Sequence, residues 1–96
     1  MREKQIEQQL VRAVKQAGGM CPKLLSPGTD GMPDRMVLLS GGQIAFVEVK
    51  APGKKPRPLQ VKRHRQLREL GFLVFILDGP EQVGPILEEV MSWHTP

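Results

Sequence analysis

The stretch 43-QIAFVEVK-50 constrains the fold more than any other part of the chain, because it is a strand-length run with apolar residues at both odd and even positions. Ile44 and Phe46 fall on one face of an extended strand, and Ala45, Val47 and Val49 fall on the other. A strand of this kind is typical of the centre of a sheet that is covered on both sides. The run ends in charge, since Glu48 and Lys50 share a face under the two-residue period of a strand. Burying these charges requires a partner, so the end of this strand is a candidate site.

The remaining patterns predict one α/β domain over residues 1–96. Helical spacing of Ile6, Leu10 and Val14 predicts a first helix at 3–17, which Gly18-Gly19 ends. The elements predicted after it are a short strand at 20–26, strands at 35–39 and 43–50 joined through Ser40-Gly41-Gly42, a helix at 58–70, a strand at 72–78, and a short helix within 80–94 interrupted by Gly84-Pro85. The order α-β-β-β-α-β-α predicts a mixed sheet flanked by helices.

Length and composition limit the chain to one small domain. It has 96 residues, of which 40% are hydrophobic and 25% are charged, as in an ordinary globular protein. No apolar run approaches the roughly 20 residues of a membrane helix. The N-terminal MREKQIEQQL lacks the apolar block of a signal peptide, so we expect no membrane association and a cytosolic location. The single cysteine, Cys21, excludes an internal disulfide and a cysteine-based metal cluster.

A band of positive charge runs from Lys50 to Arg68, where eight basic residues occur without an acid. Such segregation is typical of a surface that binds a polyanion, although charge alone supports a solvated basic helix equally well. Only four aromatic residues are present, which favours contact with phosphates over stacking of single-stranded bases. The residues expected to contact nucleic-acid phosphates are Lys54, Lys55, Arg57, Lys62, Arg63, Arg65 and Arg68. In the predicted helix 58–70, the expected inner stripe is Leu59, Leu67 and Leu70, with Gln60 and His64 on its flank.

Two acids and a lysine converge at the end of the predicted central strand. Asp34 and Glu48 come from adjacent strands of the hairpin, and the backbone carbonyl of Val49 lies between Glu48 and Lys50. Three oxygens of this kind match the ligand preference of Mg²⁺. Lys50 projects from the face of Glu48, where it can hold a hydroxide or neutralise charge that develops on a phosphate. Glu7, an acid on the apolar face of the first helix, can reach the same cation through a water molecule.

The pattern Pro33-Asp34 and Glu48-Val49-Lys50, with thirteen residues between the two acids, resembles the motif of the PD-(D/E)xK nuclease superfamily. The order of elements resembles the restriction-endonuclease-like core of that superfamily. More closely, Glu7 in the first helix, the loop 31-GMPDR-35, 48-EVK-50 and Gln60 at the start of the next helix resemble the VRR-NUC (virus-type replication-repair nuclease) family.

The resemblance implies an endodeoxyribonuclease that depends on Mg²⁺ or Mn²⁺ and hydrolyses phosphodiester bonds. The catalytic residues that it implies are Asp34, Glu48, Lys50, Glu7 and Gln60. The cation would be held by Asp34, Glu48, the Val49 carbonyl and, via water, Glu7. The resemblance also implies a stand-alone family member that acts as a homodimer on branched DNA such as four-way (Holliday) junctions, in the cytoplasm of a bacterium or a phage-infected host cell.

Other interpretations explain part of the pattern. Taken singly, Glu48 and Lys50 can form an ion pair at a strand end, Asp34 can shape a turn, and Glu7 and Gln60 can lie at the surface. A basic DNA-binding module without catalysis, or an RNA-binding accessory protein, explains the basic band but leaves three acids that repel phosphates. Within the nucleases, a flap or nicking endonuclease is the alternative. We expect no ligand role for the loop acid Asp30, for His94, or for His64, where phosphate contact or solvation suffices.

The register of the hairpin supplies a structural test of the candidate site. With a plain two-residue turn at Gly41-Gly42, Asp34 would pair with Val49 and point away from Glu48. A shared face for the two acids therefore requires a loop of odd length, a bulge, or a position of Asp34 just off the ladder.

Overall fold

Three strands form a mixed sheet in residues 1–93, the part of the chain that the computed structural model describes. The elements in chain order are helix α1 (Glu3–Gln16), strands β1 (Arg35–Leu39) and β2 (Gln43–Val49), helix α2 (Pro58–Glu69), strand β3 (Leu73–Leu77), a 3₁₀ turn (Pro80–Gln82) and helix α3 (Val83–Ser92). The central strand is β2, which is antiparallel to β1 and parallel to β3. The predicted α/β class, with a mixed sheet flanked by helices, is confirmed.

The two faces of the sheet carry cores of different size. Helices α1 and α3 cover the larger core, to which α1 contributes Ile6, Leu10 and Val14 at four-residue spacing. Its members from the strands and α3 are Val37, Leu39, Ala45, Val47, Val49, Leu77, Val83, Ile86, Leu87 and Val90. Helix α2 covers a smaller cluster of Phe46, Leu67 and Val74 on the opposite face. Because Glu48 alternates with the members of the larger core, it shares the face of Phe46 and lies under α2.

The segment 20–26, predicted as a strand, forms two isolated bridges to β1 instead, between Met20 and Leu38 and between Lys23 and Arg35. Pro22 lies between these bridges and has no N–H to continue a ladder. Only its carbonyl takes part, accepting a hydrogen bond from the N–H of Met36 at 3.0 Å. The segment still runs along the outer side of β1, so the observed order of regular elements is α-β-β-α-β-α.

The inner face of α2 differs from the predicted one. Its buried residues are Gln60, His64 and Leu67, whereas Leu59 is 42% exposed and Leu70 is 74% exposed. Leu67 is buried as predicted. The two stripes share Leu67 and both have helical spacing, and the prediction chose Leu59 and Leu70 as its inward neighbours over Gln60 and His64. That choice was wrong because the face of the sheet under α2 carries a buried acid, Glu48, which polar side chains can satisfy. Two polar side chains of α2 therefore face the sheet.

The helices are short, and α1 is the longest with 14 residues. In the described residues, 1–93, no helix is both long and apolar enough to cross a membrane. Gly84-Pro85 does not interrupt the last helix, contrary to the prediction. Since α3 begins at Val83, Pro85 lies in the first turn, where a backbone N–H has no helical partner to lose.

The hairpin between β1 and β2 has a three-residue loop, Ser40-Gly41-Gly42, because Leu39 pairs with Gln43. Gly41 and Gly42 adopt φ angles of 84° and 74°, which residues with a side chain rarely adopt. The register continues to the pair of Arg35 with Val47. The next positions along the two strands are Asp34 and Glu48, which therefore stand opposite each other. Of the three arrangements that would allow a shared face, the loop of odd length is the one present.

Candidate active site

The end of β2 fixes the side chain of Asp34. Oδ2 of Asp34 accepts a hydrogen bond of 2.9 Å from the backbone N–H of Val49, so the carboxylate lies against the last residue of the central strand. In a strand, the N–H and C=O of one residue point to the same neighbour. The carbonyl of Val49 is therefore also directed toward the side of β1, and Val49 and Asp34 line one hollow. The Asp34 carboxylate and the Val49 carbonyl are thus brought together, as the sequence pattern requires.

Glu48 is buried beneath α2, with 1% of its surface exposed. Its Oε2 accepts a hydrogen bond of 3.0 Å from Nε2 of Gln60 and lies 3.5 Å from Nζ of Lys50. Its Oε1 lies 3.7 Å from Nε2 of His64. Within residues 1–93, neither Oε1 of Glu48 nor Nε2 of His64 has a hydrogen-bond partner. One oxygen of the carboxylate is therefore held, and the other is unsatisfied.

The site is short of positive charge. Burial, and then the neighbouring Asp34 carboxylate, raise the pKa of Glu48 to about 7, while Lys50 opposes the shift. Burial, and then the positive charges of Arg68 and Lys50, lower the pKa of His64, so its imidazole is neutral at physiological pH. Two acids with one partly exposed lysine therefore leave a place where an added cation would be stabilising.

The side chain of Gln60 makes two hydrogen bonds at the start of α2. Its Oε1 accepts a hydrogen bond of 2.8 Å from the backbone N–H of Arg57, which caps the helix. This bond fixes the orientation of the amide, so that Nε2 must face Glu48. The first turn of α2 and the buried carboxylate are thereby tied to the same side chain.

Glu7 approaches the site from the other face of the sheet. It lines a hollow of about 250 Å³ together with Asp34 and Val49; the other lining residues are Glu3, Lys23, Leu24 and Leu25. Its Oε2 accepts a hydrogen bond of 2.9 Å from Nε of Arg35, whose Nη1 is bonded to the carbonyl of Cys21 at 2.8 Å. Glu7 is therefore beside the two candidate ligand groups, Asp34 and the Val49 carbonyl, and is held by the arginine that follows Asp34 in the chain.

Helix α2 also supports the loop that carries Pro33-Asp34. Gly31 has a φ of 85°, and a Cβ atom there would lie 2.8 Å from the backbone oxygen of Leu59. Nε of Arg63 donates to the carbonyl of Asp30 at 2.7 Å. The close contact and the hydrogen bond attach the loop to the first two turns of α2.

The seven basic residues of the predicted DNA-binding band divide into two groups. Arg63 holds the loop carbonyl of Asp30, and Nη2 of Arg68 donates to the carbonyl of Val74 at 2.9 Å. All seven except Arg63 are exposed, and none of them forms an ion pair within the described part of the chain; the five without a contact of this kind to a backbone carbonyl are Lys54, Lys55, Arg57, Lys62 and Arg65.

The donor set at the site consists mainly of oxygens from two acids and a backbone carbonyl. In residues 1–93, no group of three histidine, cysteine or acidic side chains has an arrangement that could hold a metal ion. A cation here would therefore depend on the Val49 carbonyl and on water as well as on Asp34 and Glu48, which is how Mg²⁺ is commonly bound.

Two polar residues at the site were not recognised in the sequence. His64 was expected to be solvated or in contact with phosphate, but it is 1% exposed and faces Glu48. Its four-residue spacing from Gln60 was the signal that could have revealed it. Arg35 received no role in the sequence analysis. It follows Asp34, and the alternation of side chains along β1 places it on the face toward Glu7. The expectation for His94 lies outside the described residues.

Known proteins include clear relatives of this chain, whereas no family model matches it. A protein of the Acyrthosiphon pisum secondary endosymbiont phage 1, named "Putative nuclease p44", is 48% identical over 81 residues, which cover 84% of this chain and 87% of the relative. A solved structure described as a VRR_NUC domain superposes with a TM-score of 0.85 at 32% sequence identity, covering 92% of this chain and 97% of that one. Each similarity extends over most of both chains.

Proposed function

This chain belongs to the VRR-NUC family of the PD-(D/E)xK nuclease superfamily, and from that premise we propose that it is a metal-dependent endonuclease that hydrolyses phosphodiester bonds of DNA. The observation that carries the proposal is the register that sets Asp34 and Glu48 opposite each other at the end of β2. Lys50, on the same face, lies 3.5 Å from Glu48. A DNA-binding module without catalysis has no use for two acids in this position.

The residues present fit a Mg²⁺ or Mn²⁺ ion. Asp34, Glu48 and the Val49 carbonyl offer the oxygen ligands that these ions prefer. The unsatisfied Oε1 of Glu48 and the raised pKa of that carboxyl are what a site prepared for a cation would have in the metal-free state. Such an ion, when bound, polarises a phosphate and lowers the pKa of a water molecule. Glu7 is proposed to contact the ion through water from the shared hollow.

Lys50 is proposed to stabilise the negative charge that accumulates on the phosphate when water adds to phosphorus and the bond to the leaving oxygen breaks. Its side chain is 17% exposed, so Nζ lies between the buried Glu48 and the solvent from which DNA would approach. A charge fixed in place before the reaction needs no reorganisation during it. Gln60 contributes by holding Glu48, and the exposed basic residues of α2 and the loop before it contribute by binding phosphates of the DNA backbone.

For the substrate, we propose branched DNA such as a four-way junction, cut by a homodimer. One site in a chain of 96 residues cuts one strand at a time, whereas resolving a junction needs two symmetric cuts. A two-fold homodimer provides two symmetric sites, because the same surface of each subunit forms the interface. A monomer with the same site would instead nick DNA or remove flaps.

The test is cleavage of labelled linear, nicked, flap and four-way-junction DNA by the wild-type protein in Mg²⁺, in Mn²⁺ and in EDTA, with a labelled RNA strand for comparison. We expect metal-dependent cuts in the junction at symmetric positions. Asp34→Asn and Glu48→Gln should abolish cleavage yet still bind DNA in EDTA, since each removes a charge that repels phosphate. Asp30→Asn, which changes an exposed loop acid close in sequence, is the matched control and should cleave normally.

Three outcomes would contradict parts of the proposal. DNA binding without cleavage in either metal would favour a non-catalytic DNA-binding module. Cleavage near the wild-type rate by Asp34→Asn would remove the proposed metal site. Metal-dependent nicking or flap removal, without paired cuts in junctions, would favour the monomeric alternative.

A further inference from the structure

Two unsatisfied atoms face each other between α2 and the sheet. Nε2 of His64 lies 3.7 Å from Oε1 of Glu48, both residues are 1% exposed, and neither atom has a hydrogen-bond partner in the described part of the chain. Buried polar atoms without partners are uncommon, because each loses its hydration without compensation. A displacement of roughly half an ångström would bring these two within hydrogen-bond distance.

The surroundings of His64 argue against a space-filling role. The buried stripe of α2 consists of Gln60, His64 and Leu67, and only Leu67 joins the apolar cluster on that face. A position that needed only apolar volume would favour an aliphatic side chain over one whose nitrogen is left unpaired. Gln60, one turn earlier, already donates to Oε2 of the same carboxylate. Helix α2 therefore presents one nitrogen to each oxygen of Glu48.

We propose that His64 is a positioning residue whose neutral imidazole donates the Nε2 proton to Oε1 of ionised Glu48. With Gln60 on Oε2, this bond would stop the carboxylate from rotating and fix the direction in which it offers its remaining lone pair to a cation. The inference rests on the proposed function, because it assigns His64 to the cation ligand Glu48.

The arrangement leaves room for a cation. An ionised carboxylate has about four acceptor positions, of which Gln60, Lys50 and His64 would use three. His64 itself is not proposed as a ligand, in line with the absence of a three-residue metal-binding group among residues 1–93. Partners that orient a ligand in this way commonly change metal affinity or activity by about 10- to 100-fold when they are removed.

The test compares His64→Gln, whose amide can keep a donor near the position of Nε2, with His64→Leu, which keeps volume but has no donor. Mn²⁺ binding is measured by calorimetry, cleavage is measured as kcat and KM, and DNA binding is measured in EDTA. For His64→Leu we expect Mn²⁺ affinity and kcat to fall by about tenfold or more, with DNA affinity in EDTA unchanged. For His64→Gln we expect the Mn²⁺ affinity and kcat to stay within about threefold of the wild-type values.

A second measurement uses the wild-type protein and does not depend on a variant that folds. Nitrogen chemical shifts of the His64 ring in the Mg²⁺-loaded protein report which nitrogen carries the proton, and the proposal requires Nε2. A proton on Nδ1, wild-type Mn²⁺ affinity in His64→Leu, or equal losses in both variants would overturn the role of His64 while leaving the nuclease proposal intact. Absence of Mn²⁺ binding and cleavage in the wild type would instead remove the proposed function, and this inference with it.

Discussion

Among single residues, Lys50 and Glu48 illustrate two uses of charge at the end of one strand. They share a face and lie 3.5 Å apart, but Glu48 is buried while Lys50 reaches the solvent boundary. The pair therefore has a structural component, the burial of a carboxylate, and a proposed chemical component, the stabilisation of charge on a phosphate. Separate measurements can distinguish the two.

Lys50→Ala should lower kcat by roughly 10²–10³, because it removes the preorganised positive charge that is proposed to stabilise the reacting phosphate. Binding of Mn²⁺ should persist, since Asp34, Glu48 and the Val49 carbonyl remain. Single-turnover cleavage kinetics and metal titration check this, with Lys15→Ala, an exposed lysine in the last turn of α1, as the control. A loss of less than about threefold would make Lys50 only a structural partner of Glu48.

Glu48→Gln should stabilise the metal-free protein at high pH. The pKa of Glu48 is about 7 in the folded protein, against 4.5 for an unperturbed glutamate, so the folded state binds more protons between these values and stability falls as pH rises through that window. We expect the variant to be more stable than wild type by on the order of 2 kcal/mol at pH 8 and equal to it at pH 4. Denaturant unfolding in EDTA measures this, and Glu88→Gln on the exposed face of α3 should show no such trend. A difference independent of pH would point to altered packing.

Among the elements, α2 organises the site. It binds the buried carboxylate through Gln60, and it supports the loop before Asp34 through the contact of Leu59 with Gly31 and the hydrogen bond from Arg63 to Asp30. The same helix carries Lys62 and Arg65, two of the exposed basic residues that are proposed to bind DNA. Helix α2 therefore connects the candidate ligand Glu48, the loop before Asp34 and part of the proposed DNA-binding surface.

Gly31→Ala and Gly28→Ala test how much the site depends on this contact. Both glycines have a positive φ, 85° and 83°, but only at Gly31 would a Cβ atom meet backbone, at 2.8 Å from the Leu59 oxygen. We expect Gly31→Ala to be the more destabilising by about 1 kcal/mol or more, because it adds a steric overlap to a similar backbone strain. Cleavage should also fall for this variant alone, since the loop positions Asp34. Equal free energies of unfolding and equal cleavage rates for the two variants would show that the contact with α2 does not position the loop.

For the whole molecule, the candidate active site and a second, partly apolar hollow lie at opposite ends of the sheet. Asp34, Glu48 and Lys50 lie where β2 ends, whereas a hollow of about 490 Å³ lies where β2 and β3 begin, next to the hairpin loop. Its lining includes the exposed side chains of Leu70, Phe72 and Trp93. The loop around Met32 is a less suitable surface for self-association, because Met32 packs partly buried under α2. An interface at the end with Trp93 would leave the candidate active site open to DNA.

The protein should sediment as a dimer, at about twice the 10.7 kDa of one chain. Trp93→Glu should shift it toward monomer, because the substitution introduces a charge into an exposed aromatic surface. Leu25→Glu changes an even more exposed apolar residue beside the active-site hollow and should leave the dimer unchanged. Sedimentation equilibrium measures both. A wild-type monomer that still makes paired, symmetric cuts in a junction would contradict the dimer proposal.

The sequence by itself determined the features that depend on neighbours along the chain. The apolar run of β2 fixed a central strand, and the two-residue period of strands put Glu48 and Lys50 on one face. The glycines at 41 and 42 allowed the odd-length loop that turns Asp34 toward Glu48. These relations follow from strand geometry and involve residues separated by a single hairpin.

Only the tertiary structure decided which face of α2 turns inward, that His64 faces Glu48, and that Arg35 holds Glu7. Helical spacing offers several adjacent stripes, and the apolar count chose Leu59 and Leu70. The inward stripe is set instead by a buried carboxylate twelve residues before Gln60, whose unpaired charge would be more unfavourable than two exposed leucines. Burial is a property of the assembled layers, so the four-residue spacing of Gln60 and His64 could not by itself decide between their stripe and that of the leucines.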